Sequence, residues 1–510
     1  MTSIHKSLAP GHPDAQPPQG LQRSIKPRHM VMIAVGGTIG TGIFFVSGNA
    51  ISGIGPLGAV MAFGLMSVIV YFMMQGLGEM TTELPISGSF QEYSTRFIDP
   101  ALGFTFGWNY WFCWAITVAT EFVAGAMIVK YWLPDTPASL WAVLFYFLLL
   151  GLNLISARGF AESEYWFAGV KIVVIVLFLI TGVAMIFGMI GSGSPGLANW
   201  TLHDPTSGNT APLFGGLGGF MAIFLMVAYT FSGTELTGVA AAETEDPRRT
   251  VPKAIRSVFW RLLFFYIGTV VVLGFLVPFN DPHLLSSDVT EVATSPFTIV
   301  FQNAGFIVAA SFMNAVVLTS VLSCGNSGLF CASRILYAMS VSGQAPKSLS
   351  KLNKRGVPVR AVFVTSLVAA VSFATSLVGD AKFYIAIVNL CATSGVVVWF
   401  GIAWCQLRFR KAWLAQGHTV EELKFRSKFY PWGPWIAMAV FVFIIFGSGY
   451  WIFTTEQTPF DFWFNLITNY VLTPVLVAMY LIYKKRHNTK MVKPEDADLT
   501  IPAHEANFAE

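Results

Sequence analysis

The sequence predicts an all-α integral membrane protein, and three observations carry that expectation. Only 11% of the 510 residues are Asp, Glu, Lys or Arg, while 54% are hydrophobic and the mean hydropathy is +0.61. Soluble domains carry roughly 25% charged residues, so this composition has too little polar surface for a soluble chain of its length. The apolar residues also gather into twelve runs, each near the roughly 20 residues a helix needs to cross a bilayer. Finally, these runs do not alternate as barrel strands do, and lipid tolerates no other open backbone, so they are expected to be helices.

The expected spans lie near 30–52, 57–80, 102–130, 138–156, 164–190, 214–240, 258–279, 297–337, 360–378, 383–407, 433–452 and 463–483. The eighth is too long for one straight crossing and should include an interfacial turn. Residues 1–28 read as a polar tail, with no short apolar stretch and cleavage site of a secretory signal, and 484–510 as a second tail. Of the 31 Lys and Arg, 28 fall in the tails and connections on one side of these spans, counting span ends. Lys130 and Lys382 fall on the other side and Lys171 within a span. Positive charge marks the cytoplasmic side, so both tails are expected there, with the body 29–483 in the bilayer.

Two spans are interrupted. The first contains Gly36-Gly37-Thr38-Ile39-Gly40-Thr41-Gly42, and the sixth contains Phe231-Ser232-Gly233-Thr234-Glu235. They lie five spans apart, an odd offset that reverses direction in the membrane. This is the pattern of two inverted five-helix repeats, over about 29–190 and 214–407, with the helices at about 433–483 added. Unwound backbone at mid-membrane survives only where it lines a protein or water cavity. Its freed N–H groups attract an anion and its freed carbonyls a cation, so such a site suits the zwitterion of an amino acid. A phosphate loop would need a preceding strand and a following Lys, both missing here. Close packing through small residues is the other reading of the glycines, weakened by the matching interruption in the sixth span.

Ionisable residues within the spans are costly, roughly 2.5–3.5 kcal/mol or more each at the bilayer centre. Glu121, Glu235 and Lys171 lie too deep to avoid burial and are candidates for ligand binding or proton exchange. Glu79 and Glu243 lie at span ends, where a solvated or salt-bridged helix terminus is the plainer reading. The loop 280–296 holds Asp281, Asp288 and Glu291 without Lys or Arg, either a solvated loop or a cation-attracting mouth. The net charge of +4 gives no reason to expect a nucleic-acid partner. Cys113, Cys324, Cys331, Cys391 and Cys405 all sit in apolar runs, so a disulfide framework is not expected. The eight histidines show no metal-ligand spacing, so neither a metal site nor an enzyme's catalytic residues are expected.

Four stretches resemble bacterial amino-acid permeases of the amino acid–polyamine–organocation superfamily: Gly36–Gly42; Glu83-Leu-Pro-Ile-Ser-Gly-Ser-Phe90 followed by Tyr93; Gly107-Trp-Asn-Tyr-Trp111; and Phe231-Ser-Gly-Thr-Glu-Leu236. The likeness runs in order from about Leu21 to Lys485. Within the family, lysine-specific permeases are the most similar, through Ser156-Ala-Arg-Gly-Phe160 with Glu164-Tyr-Trp-Phe167, Val258-Phe-Trp-Arg261, Gly325-Asn-Ser-Gly328 and the stretch Asn314–Ser333. Glu121 and the Glu235/Glu243 pair look similar in permeases for neutral and aromatic amino acids, so they do not single out lysine.

The resemblance implies a LeuT-like five-plus-five fold in a bacterial inner membrane, with broken helices 1 and 6 and uptake of L-lysine or a related amino acid coupled to protons. It implies that N–H groups around Thr38, Ile39, Gly40, Thr41 and Gly42 hold the substrate carboxylate. Carbonyls near Ile33–Val35 and from Tyr229 through Phe231 to Ser232, beside Gly233, would hold its amine, with Phe231 covering it from outside. Lys171 matches a helix-5 lysine standing where relatives hold sodium, so sodium dependence is not expected and the proton is the coupling ion; no other cofactor is implied. For the ε-ammonium, Glu121 is the first choice and Glu235 the second, with Asn326, Ser327, Asn389 and Ser394 supporting. Asn326 and Asn389 serve equally well as helix-packing amides. Import of arginine, ornithine or a neutral amino acid, exchange, or amino-acid sensing with a regulatory membrane partner stay open as alternatives.

Overall fold

The computed structural model describes Met32 and residues 39–501, apart from 41, 87, 155–156, 192, 242–245, 286–294 and 375–379. The described chain is helical and has no strand; eight of its helices are long and apolar enough to cross a membrane. A bent pair raises that number to nine, and two shorter apolar helices accompany them.

In chain order these are α1 (Gly42–Glu83), the short α2 (Phe90–Phe97), α3 (Pro100–Val129), α4 (Ala138–Asn153) and α5 (Ala157–Ile186). They continue with α6 (Gly216–Phe231), the one-turn α7 (Leu236–Ala240), α8 (Pro247–Leu276), α9 (Pro296–Asn303), α10 (Ile307–Val341) and α11 (Val359–Ala369). The last are α12 (Asp380–Ala415), α13 (Trp432–Gly447), α14 (Pro459–Tyr470) and α15 (Leu472–His487). The expected first and second spans meet within α1, at Gly55 (φ 79°) and Pro56. The amide of Leu57 there donates to Pro212 O at 3.0 Å, and Ile54 O accepts from Phe214 N at 3.3 Å. A Cβ on Gly55 would stand 2.5 Å from Pro212 O, so only glycine allows this approach. The long eighth run divides at a turn after α9, with Gly305 at φ 82°.

Helix starts follow local chemistry. Asp99 accepts from Ala101 N at 2.9 Å ahead of Pro100, and Asp246 accepts from Arg249 N at 3.3 Å ahead of Pro247. Thr458 likewise accepts from Asp461 N ahead of Pro459. In each case an oxygen satisfies an orphan amide, and proline occupies a position whose amide needs no partner.

The core centres on α3, which packs most extensively against α10 and α12. Nearly nine-tenths of its most apolar stretch is buried in protein, against a third for α5. At one end of the bundle, Glu79 of α1 forms a buried two-pronged ion pair with Arg410 of α12, at 2.5 and 2.6 Å, and accepts from Ser427 N at 2.8 Å. Glu79 is thus a salt-bridged helix end, buried and not solvated. The chain after α15 folds back over α2 and the end of α12: Val492 N donates to Ile98 O, Arg96 to Thr500 O and Gln416 to Ala497 O.

Candidate functional site

Two departures from helical backbone set the site. α6 ends at Phe231, Ser232 is extended at its Cα (ψ 142°), Gly233 takes φ 89°, and the helix resumes at Leu236. The freed groups are bound within the turn. Ser232 N donates to Tyr229 O at 3.0 Å, Thr234 Oγ1 to Phe231 O at 2.6 Å, and Leu236 N to Gly233 O at 3.0 Å. The Glu235 carboxylate accepts from Gly233 N at 3.1 and 3.2 Å and from Trp399 Nε1 of α12 at 3.0 Å. Arg261 of α8, itself buried, donates to Thr234 Oγ1 at 2.7 Å, and Tyr266 donates to Thr230 O at 3.2 Å.

The second departure is the glycine-rich start of α1, of which Ile39, Gly40 and the π-helical turn Gly42–Val46 are described. A Cβ on Gly42 would stand 2.5 Å from Thr230 Cα. A Cβ on Gly40 would stand 2.6 Å from Cys324 Sγ and 2.8 Å from Glu121 Oε1. The glycines therefore let the start of α1 press against the broken helix and against Glu121 together. At this meeting lies a small cavity whose walls come from four elements. The α1 start supplies Gly40 and Gly42, α3 supplies Trp114, Thr117 and Glu121, and α10 supplies Cys324. Tyr229, Thr230 and Ser232 come from the broken helix. Glu121 is 1% exposed and accepts a hydrogen bond from Tyr229 Oη at 3.1 Å.

The cavity measures about 10 Å³, close to the space of a single water. Its walls sit on separate helices.

Of the residues singled out from sequence, Gly40, Gly42, Glu121, Tyr229 and Ser232 meet at this cavity, and Ile39 is buried beside it. Glu235 and Gly233 lie just past it, bound into the turn itself. Phe231 turns away and packs against Tyr266 and Phe63, with ring centroids at 4.6 and 6.0 Å. Asn326 accepts from Asn153 Nδ2 of α4 at 2.8 Å, a helix-packing contact, and Ser394 bonds with Asn109 of α3. Ile33, Val35, Thr38, Thr41 and Glu243 lie outside the described residues, as do Asp288 and Glu291. Asp281 accepts from Asn303 at 3.3 Å. Lys171 does not line the cavity but lies beside its wall residue Cys324, 3.7 Å from the fully buried carboxylate of Glu164 on its own helix.

Trp114, Thr117 and Cys324 were not among the expected residues. The first two carried a usable signal: 114, 117 and 121 are spaced three and four apart, so they share one helix face with Glu121. Cys324 had none, since its place depends on how α10 is rotated against α3. Gly325, whose Cβ would lie 3.4 Å from that of Glu121, sets how closely the two helices approach.

Comparison with known proteins adds to this geometry. The amino acid permease family model matches residues 29–493. The lysine-specific permease LysP of Escherichia coli (strain K12) is 40% identical over 93% of this chain and 95% of its own length. LysP of Lactococcus lactis subsp. cremoris (strain MG1363) is 42% identical over 94% and 93%. The histidine permease HisP of the same Lactococcus strain is 40% identical over 94% of this chain and 98% of its own. Among solved structures, a mutant of the Eremococcus coleocola manganese transporter aligns with a TM-score of 0.54 at 16% identity, covering 90% of this chain and 94% of that one. At that identity the match speaks for the fold alone.

Proposed function

The chain belongs to the amino acid permease family, and from that premise we propose that it imports L-lysine with protons by alternating access around the Glu121 cavity. The observation that carries this reading is a buried carboxylate on a cavity wall, opposite a break in a membrane helix. In the proposed bound state the walls part and the α-carboxylate rests on amides of the first broken helix. The α-amine meets carbonyls of the second, and the ε-ammonium pairs with Glu121. A buried cation without such an acceptor would be costly, so the carboxylate gives the second charge of a dibasic substrate a partner. An inward-negative potential adds about 2.3 kcal/mol per charge per 100 mV to the accumulation of a cation.

The same reading takes the chain as twelve spans in two inverted repeats plus two helices, in the inner membrane with both termini cytoplasmic. Proton coupling is assigned to Lys171 with Glu121 and Glu235, without sodium. Glu235, tied to Gly233 and Trp399, holds the shape of the break, and its protonation would loosen it.

Uptake of labelled L-lysine into proteoliposomes, under an inward proton gradient with and without sodium, tests the proposal. Proton-driven uptake blocked by unlabelled lysine, and not by leucine or phenylalanine, is the expected result. Because a histidine permease is as similar as one of the lysine permeases, histidine belongs among the competitors. Preferential histidine uptake would overturn the substrate, and uptake only into preloaded vesicles would make the protein an exchanger.

A further inference from the structure

α5 is the most lipid-facing of the long helices, with Trp166, Val173, Leu177 and Ile180 all more than half exposed. Its opposite face carries Glu164 and Lys171, seven residues and so about two turns apart, and both are buried. Glu164 Oε1 lies 3.7 Å from Lys171 Nζ, and Ser323 Oγ of α10 donates to Glu164 Oε2 at 2.7 Å. Ser323 immediately precedes Cys324, which forms part of the cavity wall. Two neighbouring residues of one helix thus touch the ion pair and the cavity.

We propose that Glu164 is a positioning residue for the coupling proton: its carboxylate, aimed by Ser323, holds Lys171 in the ammonium form while the cavity is closed. This rests on the reading that Lys171 takes part in proton coupling. Release of the proton breaks an N–H bond of the Lys171 ammonium, leaves the electron pair on the neutral amine and passes the proton to water. Glu164 would then be a buried carboxylate that has lost its facing positive charge, an expensive arrangement inside protein. Release is therefore favoured only when α5 and α10 part and water reaches the pair. Because Cys324 moves with Ser323, parting of the cavity walls and freeing of the proton become one event. Among the described residues, Ser323, Ser327 and the Cys324 thiol of α10 face the pair, with Glu121 of α3 beside Cys324. α4 and the segment Leu262–Leu276 of α8, which also pack on α5, contain no charged residue, and their titratable side chains are Tyr146 and Tyr266.

The test compares wild type, Glu164→Gln, Glu164→Asp, Ser323→Ala and Lys171→Ala in proteoliposomes, reading proton-driven uptake against pH and gradient-free lysine counterflow. For Glu164→Gln, the half-maximal pH of driven uptake is expected to move toward acid by about one unit or more. Counterflow should stay within about threefold of wild type, as the carboxamide leaves the cavity wall untouched. Glu164→Asp should recover part of the shift, and Ser323→Ala should shift in the same direction by less. If Glu164→Gln does not fold, those two variants carry the test, and wild-type pH profiles in both overturn the proposal. If Lys171→Ala removes proton drive while Glu164→Gln keeps the wild-type profile, the role of Glu164 alone is overturned. If Lys171→Ala leaves proton drive intact, the coupling reading fails and the proposal with it.

Discussion

α3 and α5 each carry an acid that lipid would not accept, and the fold treats the two in opposite ways. α3 is surrounded by protein, so Glu121 meets a cavity wall formed by several helices, with a tyrosine hydroxyl donating to it. α5 faces lipid along one side and carries its acid together with its counter-charge, Glu164 with Lys171, on the other. A carboxylate on a cavity wall stands where several helices meet. A carboxylate facing a fixed ammonium is committed within the protein, and changes in it are felt as changes in protonation. Glu79, bound by both prongs of Arg410, is the extreme of the committed kind. The difference between cavity-facing and committed acids can be broken by experiment.

The largest effect is expected where commitment is complete. Arg410→Ala strands Glu79 in the interior, and should cost roughly 3–5 kcal/mol, read as a steep fall in the Tm of the detergent-solubilised protein. Retention of wild-type Tm would show that Glu79 finds water there. Glu121→Gln should show the contrary pattern, a Tm near wild type with lysine kcat/KM lowered roughly 10- to 100-fold, the worth of a hydrogen bond to a charged group. A loss of Tm with unchanged uptake would place Glu121 among the committed acids. Gly42→Ala sets a methyl 2.5 Å from Thr230 Cα, and overpacking of this kind costs about 1–3 kcal/mol. It should lower both Tm and uptake, since it pushes apart the two broken elements that wall the cavity; an effect on Tm alone would show that the cavity tolerates the displacement.

The smallest effect belongs to an acid at the membrane boundary, where water is near. Burial works against ionisation of Asp99, but hydrogen bonds from Lys484, Thr489 and the Ala101 amide outweigh it and hold the carboxyl below its ordinary value. A lowered value means that the folded state favours the charged form. Its contribution is therefore full above the ordinary aspartate range near 3.9 and is lost as pH falls through the folded value. The Tm gap between wild type and Asp99→Asn should be constant from pH 7 to 5 and narrow below about 4. A gap that widens in acid would reverse the sign of the argument.

Much of this was readable before any coordinates. The break at Ser232–Glu235 was visible because serine, glycine, threonine and glutamate interrupt an apolar run, and lipid leaves such a sequence little freedom. The prominence of Glu121 followed from the cost of a charge in a membrane helix. Glu164 gave no such signal, because it lies at the edge of the expected span 164–190, where an acid is ordinarily solvated. Only the packing of α10 over it, through Ser323, removes it from water. Phe231 was assigned a cover over the substrate by resemblance, and in this structure its ring points into the aromatic packing of Phe63 and Tyr266.

The sequence by itself determined the membrane class, the apolar runs, the asymmetry of basic charge, the family and the two interrupted helices. Apart from the family, which rests on the resemblance of motifs, these are properties of composition and local period, which any chain shows without knowing its neighbours. Tertiary structure alone decided which buried charge faces which. Glu79 and Arg410 lie 331 residues apart, and Ser323 and Glu164 lie 159 apart. A helical period tells which residues share a face, but the helix opposite that face is chosen by packing across the whole bundle. That choice makes Glu121 a wall of the cavity and Glu164 a partner of Lys171.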